Sequence, residues 1–266
     1  MEAQPGKDVW AAGNLYEPYV GRWSRLVARE FLEWLAVPPA QHWLDVGCGT
    51  GALSQAVVAQ CAPASVTGID PSAAFIEYAR AHVQGLAHFQ VGDAQALPLE
   101  PASVDAAASG LVLNFVPRPP AAVAEMARVT RPGGTVAAYV WDYAGRMELM
   151  RYFWDAAVEL DPAARALDEG PRFPLCLPAP LAEVFRGAGL QSVQVREIEV
   201  PTRFKDFDDY WSPFLGGQGP APGYAMSLDE PRRAALRELI RSRLPAAADG
   251  SINLVARAWA VRGTKA

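Results

Sequence analysis

Residues 44–51 read LDVGCGTG, and this glycine-rich segment constrains the fold of the chain more than any other feature. It follows a short apolar run at His42–Val46 and precedes a helical pattern at Ala52–Gln60. Glycines at such a junction tolerate positive φ and let a ligand lie against bare backbone, with helix-terminal N–H groups aimed at it. The segment therefore predicts a strand, a ligand-binding loop and a helix in succession. The alternative is a tight turn that binds nothing.

Apolar periodicity as far as Trp141 predicts alternating helices and strands. The predicted helices are Tyr19–Leu35, which ends before Pro38-Pro39, Ala52–Gln60, Ser72–Gln84 and Ala121–Val129. The predicted strands are His42–Val46, Ser65–Ile69, His88–Val91, Val104–Ser109 and Thr135–Trp141, the last after a turn at Arg131-Pro-Gly-Gly. This alternation implies right-handed βαβ units and a doubly wound, mainly parallel α/β sheet.

The rhythm changes in the second half of the chain. The predicted elements there are an amphipathic helix around Met147–Val158, a helix at Leu181–Ala188, a strand at Ser192–Val200, a helix from a Ser227/Glu230 capping box to Leu244, and a strand at Ile252–Val261. Residues 216–223 hold four glycines and two prolines and are predicted to form no regular structure. We expect a single domain over residues 1–266, with a cofactor-binding core at 41–141, an N-terminal helical segment at 1–36, and helical or lid insertions at 142–190 and 201–245.

Charge and cysteine content exclude several classes of protein. The chain has 24 basic and 29 acidic residues, a net charge of −5, and no block of Lys and Arg that would bind nucleic acid. Its three cysteines, Cys48, Cys61 and Cys176, form neither a disulfide framework nor a zinc motif, so no metal is predicted. The polar start and the lack of a long apolar run predict a soluble cytoplasmic protein with no membrane span. The oligomeric state is not predicted.

Four motifs follow one another in a characteristic order. They are LDVGCGTG at 44–51, GIDPS at 68–72, VGDAQALPLEPASVD at 91–105 and RPGG at 131–134. With them the sequence resembles the class I S-adenosylmethionine-dependent methyltransferases, in particular the small-molecule branch typified by the enzymes of ubiquinone and menaquinone biosynthesis. The resemblance implies a Rossmann-like seven-stranded sheet whose last strand is antiparallel. It also implies S-adenosylmethionine as the cofactor, lying across the carboxyl ends of the first, second and fourth strands.

The residues themselves favour a cationic ligand. The spacing G-x-G-x-G differs from the dinucleotide fingerprint G-x-G-x-x-G, and Asp45 stands two places before the first glycine. A carboxylate beside the loop suits a positively charged ligand better than a pyrophosphate. Asp70 ends the second predicted strand, where an acid accepts hydrogen bonds from ribose hydroxyls; the alternative is that it caps the next helix.

The resemblance implies further contacts with the cofactor. Asp93 would accept from the adenine amine beside Ala94, and the end of the fourth strand would meet the methionine part. The complete predicted cofactor set is Asp45, Gly47, Cys48, Gly49, Asp70, Pro71, Asp93, Ala94, Ser109 and Leu111.

Acceptor residues are expected in aromatic-rich segments outside the shared core. The predicted set is Tyr16, Tyr19, Trp23, Phe115, Trp141, Tyr143 and Trp211. The five rings at 204–214, next to the glycine- and proline-rich segment, suggest a lid over an apolar acceptor. The alternative is that these rings cover the sheet edge at all times.

The sequence thus predicts methyl transfer by in-line displacement to a small acceptor with an apolar or aromatic body. The sulfonium methyl is already activated, so a general base is needed only if the acceptor arrives protonated. The sequence leaves catalytic residues unassigned, and His42, His82 and His88 are interpreted as structural. A nicotinamide-dependent oxidoreductase and a non-catalytic S-adenosylmethionine-binding protein remain as alternatives.

Overall fold

The computed structural model describes residues 21–216 and 219–266. Seven strands form one sheet in the order β3-β2-β1-β4-β5-β7-β6, in which β1–β5 are mutually parallel and β7 runs antiparallel to both β5 and β6. The strands are β1 His42–Val46, β2 Ser65–Asp70, β3 Ala87–Val91, β4 Val104–Gly110, β5 Thr130–Trp141, β6 Gln191–Phe204 and β7 Ile252–Thr264. The sheet confirms the predicted fold class, including the antiparallel last strand.

Ten α-helices lie in the described residues, and they connect or follow these strands. They are α1 Arg22–Leu35, α2 Ala52–Gln60, α3 Ala73–His82, α4 Pro119–Val129, α5 Glu148–Leu160, α6 Glu169–Arg172, α7 Pro178–Gly187, α8 Phe207–Trp211, α9 Pro220–Ser227 and α10 Glu230–Arg243. Short 3₁₀ turns stand at Leu113–Phe115, Pro162–Ala166, Pro174–Cys176 and Ser212–Gly216.

The sheet is buried on both faces. Along β5, Tyr139 and Trp141 belong to a core layer that also contains α1, α2, α5 and α8–α10, whereas Ala138 and Val140 belong to a second layer that contains α4 and α7. This division follows from the alternation of side chains along a strand. The sheet therefore holds its strand ends rigidly, and ligand-binding loops follow those ends.

Two local expectations are wrong in the structure. The Arg131-Pro-Gly-Gly segment is part of β5 rather than a turn before it, and the Gly133 N–H donates to the Lys265 carbonyl 2.9 Å away. Helix α10 is capped by Asp229, whose side chain accepts from the Arg232 N–H at 2.9 Å. The Ser227 hydroxyl instead donates to the Tyr224 carbonyl, so the predicted capping box does not form.

Part of the segment predicted to be irregular is helical. Pro220 and Pro222 stand in the first turn of α9. Prolines are tolerated there because the first N–H groups of a helix have no partner within the helix. Composition alone therefore misjudged a helix that begins with proline.

Candidate cofactor and acceptor cleft

A cleft of about 290 Å³ opens at the carboxyl ends of β1, β2 and β4. Its walls are the loops after these strands, the end of β5, and Ser24 of α1. This is the edge at which open α/β sheets bind their ligands. These walls enclose one continuous cleft.

The glycine loop is tied to the neighbouring strand. The N–H groups of Gly47 and Cys48 both donate to the Ile69 carbonyl at the end of β2, at 2.7 and 3.0 Å. Gly47, Gly49 and Gly51 have φ of +72°, +51° and +88°, a region that costs other residues free energy. The glycines thus let the chain turn sharply from β1 into α2 while its backbone lines the cleft.

Asp70 closes the same loop from the side of β2. Its Oδ2 accepts from the Gly49 N–H at 3.0 Å and its Oδ1 from the Ser72 N–H at 2.9 Å. Burial raises the pKa of this carboxyl, although the two backbone hydrogen bonds lower it. The cap of α3 is Ser72, whose hydroxyl accepts from the Phe75 N–H at 3.3 Å. Asp70 therefore braces the glycine loop and lines the cleft, and it is not the helix cap.

Asp45 lies at the base of the cleft and is only 2% exposed. Its Oδ2 accepts from the Ser54 hydroxyl at 2.7 Å, whereas Oδ1 has no hydrogen-bond partner. Burial raises the pKa of this carboxyl to about 7, against hydrogen bonds from Ser54 that lower it, and the charge of Asp70 raises it further. A buried carboxylate oxygen without a partner is costly unless a ligand supplies a donor or a cation.

The other predicted cofactor residues are placed as follows. Asp93 is exposed at the rim and accepts from the Gln95 N–H at 2.8 Å, and this bond lowers its pKa. Ala94 and Leu111 line the cleft, but Ser109 does not. Ser109 is fully buried one residue before the lining Gly110. The lining residues from the predicted cofactor set are Asp45, Gly47, Cys48, Gly49, Asp70, Pro71, Asp93, Ala94 and Leu111.

Aromatic rings form the other end of the cleft. Phe115, Trp141 and Tyr143 line it, as the sequence predicts. Tyr139 joins them, a residue that the sequence analysis did not single out. Tyr139 stands two residues before Trp141 and therefore lies on the same face of β5. Strand alternation is thus the signal that could have identified it from the sequence.

Two predicted acceptor residues lie elsewhere. Trp23 packs edge-on against Phe204, with ring centroids 5.5 Å apart, and Trp211 borders a separate open groove near Met226. Neither lines the cleft, so the structure does not bring them together with the other predicted acceptor residues. Tyr16 and Tyr19 fall outside the described residues.

The rings at 204–214 pack into the core rather than over the cleft. Phe204, Tyr210, Trp211 and Phe214 are buried, and Phe214 stacks on Phe153 of α5 at 4.6 Å. The Tyr210 hydroxyl donates to the Leu149 carbonyl at 2.8 Å. None of these residues lines the cleft. In this structure the rings thus pack as the alternative to the lid expects, as a cover on the sheet.

A second layer supports the aromatic wall. Phe173 contacts Phe115 and Tyr143, with centroids 5.1 and 5.9 Å away. It follows α6, where Glu169 is 1% exposed and accepts a hydrogen bond from the Trp154 indole N–H. Burial raises the pKa of Glu169 to about 8, and the charge of Asp168 adds to this, against the hydrogen bonds and Arg172. Burial therefore favours the protonated form of this carboxyl group.

The charged residues in the described lining of the cleft are all acidic. Three carboxyl groups line the cleft, and among the described residues no Lys, Arg or His does so. The histidines bond elsewhere: His42 to Ser65, and His82 to the Tyr78 carbonyl. A lining of this kind suits a ligand with positive charge, and its described part holds no basic side chain to neutralise a pyrophosphate.

Residues 21–216 and 219–266 show neither a metal-binding cluster nor a membrane-spanning helix. No group of His, Cys, Asp and Glu is arranged to hold a metal ion. No described helix has the length and apolarity that a membrane span requires.

Comparison with known proteins places the central motifs in one family. Residues 44–138 match the model of the methyltransferase domain family Methyltransf_11. This match confirms the resemblance predicted from the four motifs, and it supports S-adenosylmethionine as the cofactor.

Individual relatives are also named as methyltransferases. The chain is 36% identical over 121 residues to the malonyl-[acyl-carrier protein] O-methyltransferase of Methylococcus capsulatus, covering 45% of this chain and 44% of the relative. It is 35% identical over 120 residues to the demethylmenaquinone methyltransferase of Symbiobacterium thermophilum, covering 43% and 47%. The matches thus span less than half the length of these curated relatives.

Solved structures share the fold over nearly the whole chain. An S-adenosylmethionine-dependent methyltransferase from Thermotoga maritima superimposes with a TM-score of 0.55 at 19% identity, covering 95% of each chain. At this identity the likeness establishes the fold and no more.

Proposed function

We propose that the protein transfers the methyl group of S-adenosylmethionine to a small acceptor with an apolar or aromatic body. One observation carries the proposal: a single cleft joins a glycine loop with carboxylates at one end to a wall of aromatic rings at the other. The core at 41–141 would hold the cofactor and would also supply Phe115, Tyr139 and Trp141 to the acceptor end, where Tyr143 joins them within one domain.

The carboxylate end fits the cofactor. The bound cofactor supplies an activated methyl group on a sulfonium cation. Asp70 accepts from the ribose hydroxyls in addition to its backbone bonds, and Asp93 at the rim accepts from the adenine amine. The Oδ1 atom of Asp45 has no hydrogen-bond partner, and the positive charge of this cofactor would stabilise it.

The aromatic end fits an apolar acceptor. Phe115, Trp141 and Tyr143 offer apolar surface and keep water from the reacting atoms. Among the described residues no His, Lys or Glu lines this end, whereas Tyr139 and Tyr143 do. We infer that the residues there orient the acceptor in line with the methyl group.

Other partners and functions fit less well. The net charge of −5 and the three lining carboxylates repel a nucleic acid. A nicotinamide dinucleotide would place its pyrophosphate beside Asp45 and Asp70, where the described lining holds no Lys, Arg or His. A non-catalytic cofactor-binding protein remains the second candidate, because the proposed reaction needs no catalytic side chain that the structure would have to display.

Transfer is tested with S-adenosylmethionine labelled in its methyl group. The purified chain is incubated with the small-molecule fraction of a cell extract, and compounds that acquire the label are identified by mass spectrometry. We expect label in one or a few apolar compounds, and less label with the Asp70→Ala variant at the same, subsaturating cofactor concentration. Cofactor binding without any labelled product would favour the non-catalytic alternative.

A further inference from the structure

Asp45 is a buried acid in a cleft that offers it no cation. Its Oδ2 is occupied by Ser54, its Oδ1 has no partner, and the described lining contains no Lys, Arg or His. Desolvation without a compensating positive charge favours the protonated acid. Near neutral pH the carboxyl of the ligand-free protein is therefore part protonated and part ionised.

The neighbouring titratable groups do not take this role. Both oxygens of Asp70 already accept backbone N–H bonds, from Gly49 and Ser72. Burial raises the pKa of the Cys48 thiol, and the charges of Asp45 and Asp70 raise it further, so the thiol keeps its proton. Asp45 is thus the group in the cleft whose charge responds most to an arriving cation.

We propose that binding of the cationic end of S-adenosylmethionine drives a proton from Asp45 into solvent, so that cofactor affinity is coupled to pH through this residue. The inference rests on the proposed function. No bond other than the carboxyl O–H breaks: the ligand cation replaces the proton as the partner of Asp45. The net charge at the base of the cleft is therefore the same before and after this exchange.

The raised pKa of Asp45, about 7, sets the pH range of the effect. Asp45 should release most of a proton per cofactor bound at pH 6 and a smaller fraction at pH 7.5, so that the affinity should be several-fold higher at pH 7.5 than at pH 6. A carboxyl group that is ionised throughout this range gives neither effect.

Titration calorimetry of the full chain tests the coupling. Binding enthalpies in two buffers of different ionisation enthalpy give the number of protons released at each pH. The probes are S-adenosylmethionine and 5′-methylthioadenosine, which keeps the adenosine but lacks the sulfonium and the amino acid. We expect release with the first probe and none with the second, because both probes meet Asp70 and only the first brings the cation.

Two variants assign the proton to its residue. Asp45→Asn should abolish release with S-adenosylmethionine while 5′-methylthioadenosine still binds. Ser54→Ala removes a hydrogen bond that lowers the pKa of Asp45, so it should increase the protons released at pH 7.5. If Asp45→Asn fails to fold, Ser54→Ala decides the case: unchanged release would overturn the proposal.

The outcomes separate this inference from the proposed function. Binding of both probes without proton release in the wild-type chain would refute the coupling and leave the cofactor assignment intact. Failure of both probes to bind would refute the proposed function itself, and the coupling with it.

Discussion

Replacing Gly47 by alanine tests the conformation on which the glycine loop depends. A Cβ at this position would lie 2.5 Å from Val112 Cγ1 and 2.7 Å from Cγ2, far inside normal contact. The backbone there has a φ of +72°, which an alanine adopts at a cost of about 1–2 kcal/mol. Overpacking against a stiff, β-branched side chain adds about 1–3 kcal/mol. We therefore expect Gly47→Ala to lower the free energy of unfolding by about 2–5 kcal/mol.

Gly133→Ala is the matched control for backbone strain. Its φ is +79°, but an added Cβ would have nothing within 4 Å, so only the conformational cost of about 1–2 kcal/mol applies. Urea denaturation followed by tryptophan fluorescence gives both free energies by linear extrapolation. Equal losses in the two variants would show that the contact with Val112 contributes nothing.

The same pair of variants reports on the cleft. Val112 lines it, so any movement that relieves the clash changes the space available to the cofactor. Gly47→Ala should therefore weaken S-adenosylmethionine binding, whereas Gly133→Ala should leave it unchanged. Wild-type affinity in Gly47→Ala would refute the placement of this loop against the ligand.

Three further predictions concern Asp70, the buried Glu169 and the aromatic rings at 204–214. Asp70→Ala should weaken cofactor binding in calorimetry by about 1.5–3 kcal/mol, and binding within twofold of wild type would exclude a ribose contact. The pKa of Glu169 is raised from 4.5 to about 8, so the contribution of this group to the free energy of unfolding is fully present below pH 4.5 and is lost as the pH rises to 8. Glu169→Gln should remove this part of the pH dependence of the free energy of unfolding. Identical pH profiles for the variant and the wild type would contradict the assignment. Phe214→Ala should lower stability by about 3–5 kcal/mol, more than the half-buried Phe207→Ala, with cofactor affinity unchanged; fast amide exchange at 204–214 in the free protein would instead favour a lid.

The parallel core and the cofactor end of the cleft were predictable because their signals are local. Apolar periodicity gives each strand and helix, and the strand ends that carry Asp45 and Asp70 follow directly from it. The spacing of glycines sets the loop without reference to distant residues. Where local rules compete, as at the prolines that begin α9, the prediction was wrong.

The acceptor end was only partly predictable because burial of an aromatic ring is a tertiary property. Trp141 and Trp211 look alike in the sequence, yet one lines the cleft and the other packs among the rings of α8 and the turn after it. Trp211 is set apart by its neighbours Phe207 and Phe214, which lie on the same short segment. No periodicity shows which of two such clusters faces a ligand.

The central claim is that the cleft selects a cationic nucleoside rather than a dinucleotide, and ligand binding tests it most directly. Calorimetry of the full chain should show that S-adenosylmethionine and its demethylated product bind far more tightly than NAD, because the lining has carboxylates and, in its described part, no cation to meet a pyrophosphate. Tighter binding of NAD than of S-adenosylmethionine would contradict the account.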